Sequence, residues 1–283
     1  MQWSWLNRHR NYRTLKVSEY IKRLELAGIN NAEQETFWLM AHALGVPLSL
    51  VYAHSEFTVE EAEMIESVIM RREAGEPLQY ILGEGDFWGR DFAVGKGVLI
   101  PRHDTETLIQ AVMKYFALDE EFTFIDWGTG SGCIAITILL EFTNAYGYLV
   151  ENNPYAEKYA LKNINRYNLT HRAMITTAIP HNIHCKLIIS NPPYIPTGEI
   201  AGLVKTVRDY EPHSALDGGF DGLMYYREIF AEAEKMECQY VFLETGNVNQ
   251  LQSLKTMSTK FLCCDQLYDY GNFPRCLVFS RRY

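Results

Sequence analysis

The chain has 283 residues, and 26 basic against 35 acidic side chains give it a formal net charge of −9. Acidic residues outnumber basic ones both in residues 1–80 and in the rest of the chain, which disfavours a nucleic-acid-binding arm. With 47% hydrophobic residues and no uncharged apolar run near the ~18 residues that span a bilayer, we expect a folded cytoplasmic protein of two domains.

The first 18 residues combine basic and aromatic side chains and contain no acid. Such a segment is compatible with an ordinary lead-in to a helix, or with a basic amphipathic or organelle-targeting segment. We favour the lead-in. The side chains that raise the question are Trp3, Trp5, Arg8, Arg10, Arg13 and Lys16.

Residues 15–76 have the apolar spacing of helices. Asn30 with Glu33, and Thr58 with Glu61, each form a possible capping box at the start of a helix. The pattern predicts a small helical domain over residues 1–77.

Five glycines interrupt short apolar runs in residues 78–103, which predicts a β-hairpin linker. Strand and helix patterns then alternate over residues 104–283, and this alternation is typical of an α/β fold. We predict a doubly wound, mostly parallel sheet of seven strands whose terminal hairpin makes one strand antiparallel. The predicted strands are Phe122–Trp127, Tyr146–Val150, Ala173–Thr176, Leu187–Ser190, Tyr240–Glu244, 263–270 and 276–280.

Two signals for a ligand lie at the carboxyl ends of predicted strands, where open α/β sheets bind ligands. Glycines after the first strand let the backbone turn tightly and approach a ligand, although such a turn also serves purely structural roles. Glu151 follows the next strand and can accept both ribose hydroxyls, or be an ordinary surface charge. The turn lacks a P-loop lysine, which favours a nucleoside with little or no phosphate. Its residues are Gly128, Thr129, Gly130, Ser131 and Gly132.

A third signal follows the strand Leu187–Ser190 as Asn191, Pro192, Pro193 and Tyr194. The prolines end the strand. The side-chain carbonyl of Asn191 and the backbone carbonyl of Pro192 can both accept hydrogens from one planar NH₂ group, and Tyr194 offers an aromatic face. This arrangement predicts a site that holds a planar amino or amide nitrogen.

Together these motifs resemble S-adenosylmethionine-dependent amino-methyltransferases, and more closely the protein-(glutamine-N5) methyltransferase family that acts on peptide chain release factors. The likeness runs over nearly the whole chain. Its flanking segments are more specific than Asn-Pro-Pro-Tyr, which DNA and RNA amino-methyltransferases share. These segments are Gly75–Gly83, Phe87–Arg90, Leu99–Arg102, Asp104–Glu106, Arg208, Glu211–Pro212, Ala215–Leu216 and Gly218–Leu223.

The resemblance implies a Rossmann-like domain that binds S-adenosylmethionine, no metal, and a helical domain that docks class I release factors. The substrate would be the Gln of their Gly-Gly-Gln loop. Apart from the resemblance, we expect a monomer that binds neither nucleic acid nor a membrane. By analogy, the turn from Gly128 to Gly132 would hold the methionine end and Glu151 the ribose. Asn191 would face the methyl group and the substrate amide. Pro192 and Tyr194 would complete the catalytic set, and Pro193 would add to substrate binding.

Two alternatives remain beside this interpretation. A methyltransferase acting on nucleic-acid bases would share the motif, but the acidic charge disfavours it. A catalytically silent relative that binds release factors is suggested by Thr176, Thr177 and Ala178, which replace the family's Ser-Asp-aromatic segment near the adenine. The intact motif from Asn191 to Tyr194 disfavours that alternative.

Overall fold

The chain folds into two compact units, Met1–Gly83 and Glu84–Tyr283. No helix within the described part of the chain is long and apolar enough to cross a membrane. The first 11 residues and residue 15, which include most of the segment considered above for targeting, lie outside that part. The computed structural model describes residues 12–14, 16–53, 56–180, 183–246 and 248–282.

The first unit is helical, as its apolar spacing predicts. Leu24, Leu39, Met40, Ile65 and Ile69 are fully buried in its core. A two-stranded antiparallel sheet of β1 and β2 accompanies the helices. The elements are β1 (Tyr12–Thr14), α1 (Val17–Leu26), α2 (Ala32–Leu44), α3 (Leu48–Ala53), β2 (Glu56–Thr58), α4 (Val59–Glu73) and α5 (Leu78–Leu82).

One of the two predicted capping boxes is confirmed. The Thr58 side chain accepts from the Glu61 N–H, and the Glu61 carboxylate accepts from the Thr58 N–H at 2.8 Å. The box at Asn30 is wrong, because α2 begins two residues later and Asn31 precedes it. The backbone of Asn31 lies at φ −104°, ψ 40°, away from the extended conformation of a capping residue, and its side chain caps nothing.

The second unit begins with a hairpin of β3 (Glu84–Phe87) and β4 (Arg90–Ala93). Trp88 and Gly89 form its two-residue turn, and both have positive φ (54° and 65°), as a type I′ turn requires. The Trp88 N–H donates to Glu106 at 2.8 Å, which holds this left-handed residue in place. A hairpin was predicted here.

The predicted seven-stranded sheet is confirmed, with spatial order β10-β11-β9-β8-β5-β6-β7. β11 inserts between β9 and β10 and is antiparallel to both, whereas the pairs among the other strands are parallel. The strands are β5 (Phe122–Trp127), β6 (Ala145–Val150), β7 (Ala173–Thr176), β8 (Leu187–Ser190), β9 (Tyr240–Glu244), β10 (Phe261–Tyr268) and β11 (Pro274–Arg281).

Both faces of this sheet are buried, so neighbouring residues of a strand enter opposite cores. Phe124 packs with one cluster and Ile125 with the other, and Ile189 and Ile188 do the same. Helices α6, α7 and α8 contribute to the first cluster, and α10 and α11 to the second. The helices are α6 (Glu106–Tyr115), α7 (Cys133–Glu141), α8 (Pro154–Arg166), α9 (Lys205–Tyr210), α10 (Met224–Lys235) and α11 (Val248–Lys255).

The strand order reverses at β5, which pairs with β6 on one side and β8 on the other. Chain connections leave this point in opposite directions, so a crevice opens at the carboxyl ends of the strands. The three predicted signals follow β5, β6 and β8. The topology therefore brings them to one place.

Candidate active site

A cavity of about 760 Å³ lies at this reversal of strand order. Its volume falls within the roughly 300–1,000 Å³ range of small-molecule sites. It is lined by the segments that follow β5, β6 and β8, by residues before α6, and by one side of α10. The lining includes Leu99, Arg102, Thr105, Gly128, Thr129, Gly130, Ser131, Glu151, Thr177, Ala178, Asn191, Pro192, Pro193, Tyr225 and Lys235.

The glycine-rich turn is fixed by hydrogen bonds to the neighbouring strand. The N–H groups of Gly128 and Thr129 both donate to the carbonyl of Val150, at 2.9 and 3.0 Å. Gly130 has a φ of +59°, and a Cβ there would meet no atom closer than 3.9 Å. The turn thus needs glycine at this position for its left-handed backbone, and it leaves open space beside the Cα.

Glu151 is tied to the turn instead of projecting freely into solvent. Its Oε2 accepts from the Gly130 N–H at 2.9 Å, and its Oε1 accepts from the Asn153 N–H at 2.8 Å. Each carboxylate oxygen has a further lone pair, so these bonds leave acceptors for a ligand. Glu151 is buried and lines the cavity. It therefore stabilises the turn and presents negative charge beside it.

Asp126, which was not predicted as a site residue, supports the same turn from below. It is fully buried, and its Oδ2 accepts from the Thr129 hydroxyl and from the Ala135 N–H. Burial raises the pKa of Asp126 to about 7. The sequence does contain a pattern that could have identified Asp126, namely an acidic residue near the end of an apolar strand and just before the glycine-rich turn.

Asn163 is a second supporting residue that the sequence reasoning missed. Its amide donates to the carbonyls of Ser131 and Ala93, at 2.8 and 3.0 Å, and accepts from the Ala93 N–H at 2.7 Å. All three bonds are buried. The pattern that could have identified Asn163 is a polar residue on the buried face of α8, which otherwise carries apolar residues such as Ala160 and Ile164.

Asn191 is oriented by one contact. Its Nδ2 donates to the Thr105 hydroxyl oxygen at 3.1 Å. Within the described residues no hydrogen bond uses its Oδ1, which therefore remains an acceptor at a residue that lines the cavity. Before it, the Ser190 hydroxyl donates to the Trp127 carbonyl at 2.6 Å and links the ends of β8 and β5.

Glu244, at the end of β9, is a further buried acid of this unit. Desolvation raises the pKa of its carboxyl to about 7, against the opposing effect of Thr105 and of the positive charge of Arg275. Its Oε2 has no partner among the described residues. Neither Thr105 nor Glu244 was predicted, because they are distant in sequence from each other and from Asn191.

Two predicted site residues lie outside the lining. The Tyr194 ring packs where a Cβ on Gly246 would stand, only 2.0 Å from that position. Gly132 precedes α7 with a φ of +82°, close to Ile136. Pro192 and Pro193 do line the cavity. Tyr194 is thus placed to pack behind the prolines, where it holds their loop against the segment after β9.

The segment where the adenine was expected is short and mostly apolar. Thr177, Ala178 and Ile179 line the cavity, and the Thr176 hydroxyl donates to the Ala178 carbonyl at 2.8 Å. This bond folds the segment on itself. Residues 176–180 include no acid. Any base bound at this edge therefore meets apolar surface.

Comparison with known proteins decides the family. Residues 17–83 match the model of the PrmC N-terminal domain, and residues 103–206 match the methyltransferase small domain. A release factor glutamine methyltransferase of Geobacter sulfurreducens is 36% identical over 84% of this chain and 85% of its own. Another, of Rhodospirillum rubrum, is 35% identical over 92% and 82%. The chain belongs to the release factor glutamine methyltransferase family. Like those relatives, it is a methyltransferase.

A solved methyltransferase from Pyrococcus furiosus matches the fold of this family member with a TM-score of 0.50 and 17% identity. The match covers 77% of this chain and 98% of that one. At this identity the likeness concerns the fold alone. It agrees with the predicted Rossmann-like class.

Proposed function

We propose that this enzyme transfers a methyl group from S-adenosylmethionine to the side-chain amide nitrogen (N5) of the Gln in the Gly-Gly-Gln loop of class I release factors. The orientation of Asn191 carries the proposal, since its Oδ1 accepts no hydrogen bond from the residues that the structure describes, and Asn191 lines the same cavity as the glycine-rich turn. The names of the relatives support the choice of substrate.

The residues around the turn fit S-adenosylmethionine. The open space beside Gly130 admits a ligand against the backbone, and the second lone pairs of the Glu151 carboxylate suit ribose hydroxyls. Ala178 and Ile179 offer apolar surface to the adenine. When bound, S-adenosylmethionine supplies a methyl group on a positively charged sulfur.

Asn191 and Pro192 address the weakness of an amide as nucleophile. The amide lone pair is delocalised into its carbonyl, so the nitrogen attacks poorly unless it is positioned. The Asn191 Oδ1 and the Pro192 carbonyl can each accept one N–H of the substrate NH₂ group, which holds the lone pair toward the methyl carbon. Such alignment is worth up to ~7–11 kcal/mol.

The reaction needs no base among these residues. As the nitrogen bonds the methyl carbon, the carbon–sulfur electron pair returns to sulfur, and the nitrogen then loses one of its protons to water. Since the sulfur loses its positive charge in this step, a pocket of low polarity favours the transition state. Prolines 192 and 193 contribute apolar lining where that charge is lost.

We further propose that the helical region of residues 1–77 docks the release factor, with residues 78–103 as the connection to the catalytic domain. The match of residues 17–83 to the PrmC N-terminal domain supports a separate N-terminal unit. The enzyme would act as a monomer.

Replacement of Asn191 tests the proposal. Asn191→Ala removes the acceptor, and we expect kcat for methyl transfer to a release factor to fall at least about 100-fold while donor affinity is kept. Asn165→Ala is the control, because Asn165 lies on the exposed side of α8 and bonds only the Leu161 carbonyl. Near-normal turnover of Asn191→Ala would refute the role of this amide.

A further inference from the structure

Gln250 lies on α11 and is buried, at 5% exposure. Its Nε2 donates to the backbone carbonyl of Tyr194 at 2.9 Å and to that of Gly222 at 3.3 Å, and it lies 3.5 Å from the carbonyl oxygen of Asp221. An amide NH₂ group has two protons, so these carbonyls use both of them. One side chain thus joins the segment that follows β8 to the loop that precedes α10.

These carbonyls also determine which way the Gln250 amide points. Turning the amide over would place its oxygen against carbonyl oxygens, and none of these atoms can donate a hydrogen bond. In the observed orientation, Oε1 is buried and has no hydrogen-bond partner among the described residues. A buried, unpaired carbonyl oxygen destabilises the fold, and an apolar side chain would avoid that loss. The presence of glutamine is therefore explained by the carbonyls that its NH₂ group binds.

Gly222 allows these groups to meet. A Cβ on Gly222 would stand 2.3 Å from the Tyr194 carbonyl oxygen and 2.4 Å from the Gln250 Nε2, and the φ of Gly222 is +70°. Any other residue would therefore be strained, and its side chain would push Gln250 and Tyr194 apart. The absence of a side chain at Gly222 keeps the contact between them closed.

The position of the Tyr194 backbone affects the residues that precede it. Proline fixes its own φ and restricts the backbone of the residue before it, so residues 191–193, Asn-Pro-Pro, form a stiff segment. One end of this segment is anchored at β8, where the Ser190 hydroxyl donates to the Trp127 carbonyl at 2.6 Å. The other end meets the Tyr194 carbonyl that Gln250 holds. A shift at Tyr194 therefore moves the whole segment.

We propose that Gln250 is a positioning residue that holds the stiff segment 191–193 where the substrate NH₂ group binds. This inference rests on the proposed function, in which the Asn191 Oδ1 and the Pro192 carbonyl accept the two hydrogens of that group. Gln250 does not line the cavity. It acts on the substrate site through the backbone of Tyr194.

Replacement of Gln250 by methionine gives the first test. Gln250→Met keeps the length of the side chain and removes the NH₂ group. Ile195 keeps its backbone hydrogen bonds to Leu216 and Gly218, so we expect the loop to stay folded. Since a displacement of about 1 Å can slow a reaction about 100-fold, we expect kcat to fall about 10- to 100-fold with an unchanged Kd for S-adenosylmethionine. Gln252→Met is the control, because Gln252 is exposed on the same helix.

Two glycines of one loop give an independent test. Gly222→Ala would push on both Tyr194 and Gln250, whereas the atom nearest to a Cβ on Gly219 belongs to Met224, at 3.1 Å. Both glycines are left-handed, with φ of +70° and +83°, so both substitutions strain the backbone. We expect kcat to be about 10-fold lower in Gly222→Ala than in Gly219→Ala. In Gln250→Met/Gly222→Ala the loss should be smaller than the product of the two single losses, because both act on one contact.

The outcomes separate this inference from the function on which it rests. If the wild-type enzyme methylates no release factor, the proposed function fails. If it does so and folded Gln250→Met keeps the wild-type kcat, or Gly222→Ala is no more impaired than Gly219→Ala, the positioning role is refuted. Independent losses in the double variant would also refute it. Where Gln250→Met does not fold, the comparison of the two glycine variants decides.

Discussion

Glu151 gives the sharpest test of how the donor is held. Its two oxygens accept from the N–H groups of Gly130 and Asn153, at 2.9 and 2.8 Å, and under the proposed function they also accept from the donor's ribose. Glu151→Gln keeps the shape, removes the charge and turns one acceptor into a donor. One backbone N–H then faces an NH₂ group.

The size of the effect follows from these bonds. Hydrogen bonds to charged groups contribute about 1.5–3 kcal/mol each, and the substitution weakens the ribose bonds as well as the turn. We expect donor affinity to fall by about 2–4 kcal/mol, or roughly 30- to 1,000-fold. Titration calorimetry with S-adenosylmethionine measures this directly. Glu157→Gln, on α8 and outside the cavity lining, is the control.

A ligand variant distinguishes ribose contact from support of the turn. If Glu151 bonds the ribose, the wild-type enzyme binds a 2′-deoxy analogue of S-adenosylmethionine more weakly than the natural donor, and Glu151→Gln loses this discrimination. If Glu151 only supports the turn, both proteins discriminate equally. Equal discrimination, or donor affinity unchanged in Glu151→Gln, would refute the assignment of Glu151 to the ribose.

Three further predictions concern the support of the cavity. Gly130→Val should abolish donor binding in calorimetry, because a β-branched residue is strained at φ +59° and its side chain enters the open space beside the turn. Unchanged binding would mean that the turn has only a structural role. Asn163→Leu should lower the free energy of unfolding, measured by urea denaturation, by about 3 kcal/mol, because three buried backbone groups lose their hydrogen-bond partner. A loss under about 1 kcal/mol would contradict this prediction. Burial raises the pKa of Asp126 from 3.8 to about 7, so the native state retains a proton there that the unfolded chain releases. The free energy of unfolding should therefore fall as pH rises between these two values. If it falls as steeply with pH in Asp126→Asn as in the wild type, the prediction is wrong.

The centre of the sheet was predictable from sequence because its strands are short and mostly buried. Four of the seven, for example Phe122–Trp127 and Leu187–Ser190, have the predicted first and last residues. Since parallel strands share one carboxyl edge, the glycine-rich turn, Glu151 and Asn191 were expected to converge, and all three line the cavity. Local capping was less predictable. The same Asn or Thr pattern formed a cap at Thr58 and failed at Asn30, because α2 begins after Asn31 and the side chain of Asn31 caps nothing.

The residues that support the site were not predictable, because their contacts join distant parts of the chain. Thr105 precedes α6, yet its hydroxyl accepts a hydrogen bond from Asn191, which follows β8 and is 86 residues further along the chain. The position of Tyr194 depends on the absence of a side chain at Gly246, which no local pattern reveals. Spacing along the chain shows which elements form. It does not show which buried polar groups will meet between them.

Transfer of a labelled methyl group tests the central claim most directly. The enzyme is incubated with S-adenosylmethionine labelled in the methyl group and with a purified class I release factor, either unchanged or with Gly-Gly-Gln altered to Gly-Gly-Ala. We predict label in the unchanged factor and none in the altered one. Equal labelling of both, or no label in either from an enzyme that binds the donor, would contradict methylation of that glutamine.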